Sequence, residues 1–148
     1  GITKEELETQ MSADVDALAV KMNLTRTQTL VALQEFYDGY HFAAQSPDIF
    51  NPYSLLNAMA AGCLDYYWFT SGTPTYLIEM LKKFQVMPSD IGRCEADKSE
   101  FDVALGNMNS ILPILYQSGC ITIKDYDPET KLFTLDIPNK EAQKALTW

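Results

Sequence analysis

The chain has 148 residues, of which 47% are hydrophobic and 21% are charged, a composition typical of a globular protein with a core of its own. The 11 basic and 20 acidic residues give a net charge of −9 at pH 7, which would repel a nucleic-acid backbone. No apolar stretch approaches the ~20 residues that cross a bilayer. The composition therefore disfavours both nucleic acid and membrane as default partners.

The cysteines indicate a reducing compartment. Cys63, Cys94 and Cys120 are odd in number, lie far apart and form no Cys-x-x-Cys pair, so neither a disulfide framework nor a zinc site is expected. The first residues also lack the basic-then-apolar order of a signal peptide. We therefore expect a cytoplasmic protein.

Two amphipathic helices are predicted at the start of the chain. Thr3 with Glu6, and Thr25 with Gln28, each have the spacing of a capping box, which marks a helix N-terminus. Apolar residues then recur at three- and four-residue steps, as on one face of a first helix: Leu7, Met11, Val15, Leu18 and Met22. The second helix should end where Gly39 can adopt a left-handed cap, and the two should pack as a hairpin.

Two further helices have the start signal of a capping residue followed by proline. The first of these signals is Asn51-Pro52, and it predicts a helix to about Ala61. The second is Thr73-Pro74, and it predicts a helix that runs until the break before Pro88. Residues 1–87 therefore form a helical unit in this interpretation.

The remaining chain is predicted to form a linker and a second unit. Residues 88–98 concentrate Pro, Gly, Ser and charge and lose periodicity, which is typical of a linker. Within 99–148, an apolar helix closed by Gly119 precedes two alternating strands around residues 127–130, and Asn139 starts another helix. The predicted fold is mainly α with a small β-hairpin, ending in a winged-helix-like subdomain that is truncated at its C-terminus.

No catalytic motif is visible in the sequence. There is no glycine-rich run followed by Lys and Ser or Thr to hold phosphates. His41, the one histidine, has no Ser or Cys partner at motif spacing, and we interpret it as a structural hydrogen-bonding residue. The chain is therefore expected to have no enzymatic activity of its own.

The helix starts Asn51-Pro52 and Gly72-Thr73-Pro74 are the candidate binding residues. Free amides and the positive end of the helix dipole can hold an anion, and glycine permits the close approach of a ligand. Ordinary helix capping is the alternative interpretation of both sites.

A group of aromatic residues is expected to form the core between the helix pairs: Tyr37, Tyr40, Phe50, Trp68 and Phe69. Any member of this group that lies on the surface would instead indicate a partner site.

Four segments carry a resemblance to a known family. They are Tyr-Asp-Gly-Tyr-His-Phe at 37–42, Ile-Phe-Asn-Pro-Tyr-Ser-Leu-Leu at 49–56, Tyr-Trp-Phe-Thr-Ser-Gly-Thr-Pro at 67–74 and Leu-Tyr-Gln-Ser-Gly at 115–119. In this order they resemble the downstream half of the AAA-ATPase-like proteins, which are P-loop ATPases often followed by a PD-(D/E)XK nuclease-like domain. The resemblance covers nearly the whole chain.

The resemblance implies a part within a larger protein. An upstream P-loop core would bind ATP and Mg²⁺, while this chain would supply a helical lid over 1–87 and a winged-helix-like element that acts as an interaction module. Gly72-Thr73-Pro74 looks like the lid turn that lies beside adenine in related ATPases, and Asn51-Pro52 is the alternative.

The partners implied are the upstream core, a possible downstream nuclease-like domain of the same parent chain, and another protein rather than DNA. The second functional hypothesis is a winged-helix module that binds protein or nucleic acid and has no nucleotide role.

Overall fold

The structure, a computed structural model, describes residues 1–41, 43–70, 75–103 and 110–146. The helices in these ranges are α1 Lys4–Thr9, α2 Ser12–Met22, α3 Arg26–Tyr37, α4 Pro52–Ala61, α5 Tyr67–Thr70, α6 Thr75–Lys83, α7 Lys98–Phe101, α8 Leu112–Gln117 and α9 Lys140–Ala145. The strands are β1 Ile2–Thr3, β2 Ile49–Phe50, β3 Cys94–Ala96, β4 Thr122–Asp127 and β5 Leu132–Asp136.

Helix is the main secondary structure, and the two sheets are small and antiparallel. One sheet is the short pair β1 and β2, and the other has the order β3-β5-β4. The predicted hairpin corresponds to β4 and β5, in which Asp127 pairs with Leu132 beside the turn. The chain is therefore mixed α and β, with about half of it helical, which agrees broadly with the predicted mainly α fold with a small β-hairpin.

The helix start signals are confirmed where the structure describes them. Thr3 and Glu6 form a reciprocal capping box, and Thr25 and Gln28 form a second one. Asn51 caps α4, which has proline in its first turn. These local signals succeed because a cap satisfies backbone donors within the same few residues, without help from the rest of the fold.

The first predicted helix is broken in two. Between α1 and α2, Met11 has φ −111° and ψ 22°, outside the helical range. The Arg26 guanidinium stabilises the break, because its nitrogens donate to the carbonyl of Glu8 at 3.0 Å and to that of Ser12 at 3.2 Å. The apolar repeat in the sequence gives no sign of the break, because it continues across Met11.

Gly39 has a different role from the predicted one. The C-cap of α3 is Asp38 in an extended conformation, so Gly39 does not cap the helix. It has φ +93°, and a Cβ built on it would lie 2.4 Å from the carbonyl oxygen of Pro138. Glycine is therefore required because the chain after α3 passes directly over the backbone that precedes α9.

The predicted linker 88–98 contains regular structure. A 3₁₀ turn spans Pro88–Asp90, and β3 at Cys94–Ala96 pairs with β5 over three residues. A three-residue edge strand is too short to show an alternating pattern in the sequence, and the assignment of 88–98 as a linker stays a prediction. The division into units 1–87 and 99–148 stays a prediction.

Two hydrophobic clusters lie side by side. One cluster is built from the N-terminal helices and β2, around Leu33, Tyr37 and Phe50. The other is built from α6 to α9 and the larger sheet, around Phe101, Leu115 and Leu135. Polar contacts join the two clusters, and these contacts position the candidate site.

Replacing Gly39 with alanine should destabilise the chain. The positive φ alone costs about 1–3 kcal/mol for a residue with a side chain, and the contact with the Pro138 carbonyl adds to that cost. The measurement is the free energy of unfolding in urea. Gly92→Ala is the control, because nothing lies within 4 Å of a Cβ at that position, and it should change the free energy by less than about 0.5 kcal/mol. Equal effects of the two changes would contradict the proposed close approach.

Candidate functional site

A cleft with a volume of about 560 Å³ opens where the two hydrophobic clusters meet. Segments from both parts of the chain form its walls. The lining residues are Gly1, Tyr40, His41, Ile49, Phe50, Asn51, Pro52, Trp68, Tyr116, Gln117, Ser118, Gly119, Ile121 and Thr122. No Lys, Arg, Asp or Glu side chain is among these described lining residues, so the walls suit an uncharged and largely apolar group.

Backbone pairing positions the first wall. Tyr40 exchanges backbone hydrogen bonds with Ile49 at 3.2 and 2.9 Å. The neighbouring His41 amide donates to Thr122 Oγ1 at 3.0 Å, and that hydroxyl donates to the His41 carbonyl at 3.1 Å. The segment after α3 is therefore fixed both to β2 and to the start of β4.

The imidazole of His41 has a described partner at only one of its two nitrogens, and its structural role stays a prediction. Its Nε2 is paired with the carboxylate of Asp48, while its Nδ1 is buried without a hydrogen-bond partner in the described part of the chain. Asp38 lies two residues before Tyr40, and burial raises the pKa of its carboxyl group, with the nearby Asp48 charge adding to the effect.

Tyr40 places a buried hydroxyl group behind the wall. Burial raises the pKa of this phenol well above its usual value. The side-chain amides of Asn139 and Asn51 lie beside the hydroxyl and partly offset this effect, but neither forms a hydrogen bond of normal geometry with it. Gly119 makes room for the ring, since a Cβ there would lie 3.3 Å from Tyr40 Cε1.

The second wall depends on Glu141, a fully buried carboxyl group on α9. Its Oε1 and Oε2 lie 2.8 and 2.9 Å from Ser54 Oγ on α4. Its Oε2 also accepts a hydrogen bond from the Trp68 amide on α5 at 3.0 Å. One side chain therefore ties together α4, α5 and α9.

Trp68 forms the outer rim of the cleft. Its indole Nε1 donates to the Ser118 carbonyl at 3.3 Å, and its ring makes an edge-to-face contact with Tyr53, with centroids 5.7 Å apart. The side chain is still 43% exposed. Of the aromatic residues expected in the core, Tyr37 and Phe50 are buried there, Tyr40 is partly buried, and the side chain of Phe69 lies outside the described part of the structure.

Of the two predicted helix starts, Asn51-Pro52 lies within the described residues. Asn51 and Pro52 line the cleft, but the amides of Tyr53 and Ser54 both donate to Asn51 Oδ1. Because Pro52 has no amide hydrogen, the first turn of α4 lacks a free donor for an anion, and capping is what Asn51 does there. The nucleotide contact of Asn51 and Pro52 stays a prediction. Gly72, Thr73 and Pro74 lie outside the described residues, as does Phe42.

Sequence reasoning missed Glu141, Ser54 and Thr122. A glutamate in a short polar helix is normally a surface residue, so no periodic pattern marks Glu141 as buried. The one available signal was Asn139, which correctly predicted the N-cap of α9 and so the element that carries Glu141.

The described residues have neither a metal-binding cluster nor a helix that could span a membrane. They contain no cluster of three or more His, Cys, Asp or Glu side chains that could hold a metal ion. None of their helices combines the length and the apolar character that crossing a membrane requires.

Comparisons with known proteins give one weak relative. No family model matches the chain. A protein of Azotobacter chroococcum mcd 1, described as "Uncharacterized protein in vnfD 5'region", is 27% identical over 119 residues, which is 77% of this chain and 22% of the relative. The chain thus spans less than a quarter of that protein. No solved structure matches.

Two tyrosine-to-phenylalanine changes should affect the free energy of unfolding differently. The Tyr37 hydroxyl donates to the Asp65 carbonyl at 2.6 Å and accepts from its amide at 2.9 Å, so Tyr37→Phe should cost roughly 1–3 kcal/mol. Tyr40→Phe removes an unpartnered buried hydroxyl and should be neutral or stabilising by about 1 kcal/mol. Urea unfolding measures both, and a loss of more than about 1 kcal/mol in Tyr40→Phe would show that this hydroxyl has a partner.

Proposed function

We propose that this chain is the nucleotide-responsive lid and interaction module of an AAA-type ATPase, with the cleft as the surface that faces the base of the nucleotide. The proposal assigns ATP hydrolysis to an upstream P-loop core of the parent protein. The chain itself contributes binding and positioning, with no catalytic step.

The observation that carries the proposal is where the four resemblance segments lie. The cleft is lined by Tyr40 and His41 from the first segment, by residues 49–52 from the second, by Trp68 from the third and by residues 116–119 from the fourth. Segments separated by up to about half of the chain thus contribute to one cavity. A ligand surface that all four segments share explains why they lie together. Four unrelated helix starts and turns would have no reason to line one cavity.

The chemistry of the walls fits a base but not its phosphates. The aromatic residues Tyr40, Trp68 and Tyr116 line a space that has no Lys, Arg, Asp or Glu among its described lining residues, which suits a flat heterocycle that can stack. Phosphates need cations or free amides, and the first turn of α4 offers neither. The phosphates and Mg²⁺ would therefore be held by the upstream core.

The order of elements supports a winged-helix unit in the second part of the chain. The elements run α6, β3, α7, α8, β4, β5, and the sheet order is β3-β5-β4. A winged-helix unit has the same alternation, with the first strand added beside the last strand of the hairpin. In this interpretation the unit begins at α6, earlier than residue 99, and the hairpin is the wing.

A protein is the proposed partner of this unit, rather than DNA. Residues 99–123, which include α8, contain no Lys or Arg. The end of the hairpin exposes the acidic residues Asp125, Asp127 and Glu129. The hairpin end also exposes Lys131, but its acidic residues outnumber this lysine. Neither surface therefore concentrates the cations that neutralise phosphates in DNA complexes. A cytoplasmic location belongs to the same proposal, since Cys63, Cys94 and Cys120 are all free thiols.

Replacing Trp68 with alanine should weaken nucleotide binding by the parent protein. Stacking of a base on an aromatic ring contributes about 1–3 kcal/mol, which corresponds to a roughly 5-fold to 150-fold increase in Kd. Calorimetric titration with ATP and ADP measures the change in a protein that includes the upstream core.

Tyr126→Ala is the matched control, because this aromatic side chain is 37% exposed on β4 and lies outside the cleft lining. It should leave Kd unchanged. If Trp68→Ala binds ATP as tightly as the unmodified protein, the cleft does not face the base.

The chain should not bind duplex DNA, even at low ionic strength. The net charge of −9 opposes the approach of a polyanion most strongly when screening is weakest. Fluorescence anisotropy of a labelled duplex at low ionic strength is the measurement. Binding that weakens steeply as salt is added would contradict the choice of a protein partner.

A further inference from the structure

Glu141 is an acidic group in an unusual setting. It is 0% exposed and lies at the junction of the two hydrophobic clusters, because the neighbouring Ala142 belongs to one cluster while Ser54 is next to Leu55 of the other. An ionised carboxylate in such a place normally needs a cation beside it.

Acidic groups act on Glu141 from several elements, and Lys144, three residues further along α9, is an exposed basic residue. Asp65, in the loop between α4 and α5, acts on it directly, and the phenols of Tyr37 on α3 and Tyr40 in the next loop interact with its charge. The amine of the adjacent Lys140 is paired with Glu35 at 2.9 Å. The Lys124 amine donates to the Gly39 carbonyl. Among the groups described as acting on Glu141, none is basic.

The hydrogen-bond geometry fits a protonated carboxyl group. A serine hydroxyl has one hydrogen, yet both carboxyl oxygens lie within 2.9 Å of Ser54 Oγ. Both distances are satisfied if Ser54 donates to Oε2 while a proton on Oε1 is donated back to Ser54 Oγ. Oε2 is the oxygen that also accepts from the Trp68 amide, so in the neutral form Oε1 is the oxygen to which we assign the proton.

We infer that Glu141, as a neutral carboxylic acid, holds the Trp68 side of the cleft in place and releases it when it loses its proton. Ionisation removes the donor from Oε1 and leaves a buried negative charge near Asp65, so water must enter or α5 must move away from α9. Protonation of Glu141 would thus regulate the same cleft that we propose faces the nucleotide, and this is an inference about regulation. It rests on the proposed function only for the identity of the ligand.

The direction of the pH dependence follows from burial. Burial raises the pKa of Glu141 above its ordinary value of 4.5, and the Trp68 amide and Ser54 hydroxyl offset only part of this rise. The folded chain therefore holds this proton more tightly than the unfolded chain does. The stabilising contribution is complete below the ordinary pKa and is lost as the pH rises through the pKa in the folded state.

The test is a pH titration without ligand that follows the Glu141 carboxyl group and the Trp68 indole. Carboxyl ¹³C NMR on glutamate-labelled protein reports the Glu141 pKa, with the resonance assigned through the backbone. In a Trp148→Phe background Trp68 is the one remaining tryptophan, so its fluorescence reports the wall. We expect Glu141 to titrate above 4.5, and the Trp68 emission to shift to longer wavelength with the same midpoint.

Two variants separate the buried carboxyl group from other acids. Glu141→Gln is neutral at every pH and should abolish the fluorescence transition. Glu35→Gln, an exposed glutamate whose partner Lys140 lies next to Glu141, should leave the transition unchanged.

The inference is overturned if Glu141 titrates at or below 4.5, or if the transition persists in Glu141→Gln. The NMR titration uses the natural sequence at both positions, so it can overturn the inference even if a variant does not fold. Because no nucleotide is present, failure here is distinct from failure of nucleotide binding.

Discussion

The contact between Glu141, Ser54 and the Trp68 amide is the constraint on which the rest of the molecule depends. The two hydrophobic clusters have separate cores, so apolar burial alone does not fix how they meet. The buried carboxyl group does, because it must find hydrogen-bond partners on α4 and α5 or leave a polar group unsatisfied at a cost of a few kcal/mol. Weaker contacts, such as the Asn139 amide donating to the Asp38 carbonyl at 2.9 Å, fix the same junction at its edge.

The cleft is a consequence of that junction. Its floor comes from the first cluster at Phe50 and from the second at Ile121, and its rim is Trp68. A cavity built between two cores changes shape when the cores move, whereas a cavity inside one core is held by close packing on every side. This placement is what the proposed lid requires, because a lid responds to a ligand that is held mainly by another part of the protein.

Local features were predictable from the sequence, and features that depend on distant residues were not. The caps at Thr3, Thr25, Asn51 and Asn139 were all correct, because each satisfies donors within three residues. The break at Met11 depends on Arg26, the role of Gly39 depends on Pro138, and β3 depends on β5. In the candidate site too, locally determined residues were predicted and residues that depend on distant contacts were missed. Asn51 and Pro52 were selected for a local reason and lie on the cleft wall, whereas burial of Glu141 follows from the packing of α9 against α5.

The most direct measurement is to map the nucleotide onto the chain by NMR. The protein would carry this chain together with the upstream core, and the backbone amides would be followed as ATP is added. The account predicts that the largest shifts fall on the cleft, at His41, Trp68 and Gly119, and that the end of the hairpin around Glu129 is unaffected. Shifts that avoid the cleft while ATP is bound would contradict the account, because the nucleotide would then be held without the surface that the four segments build.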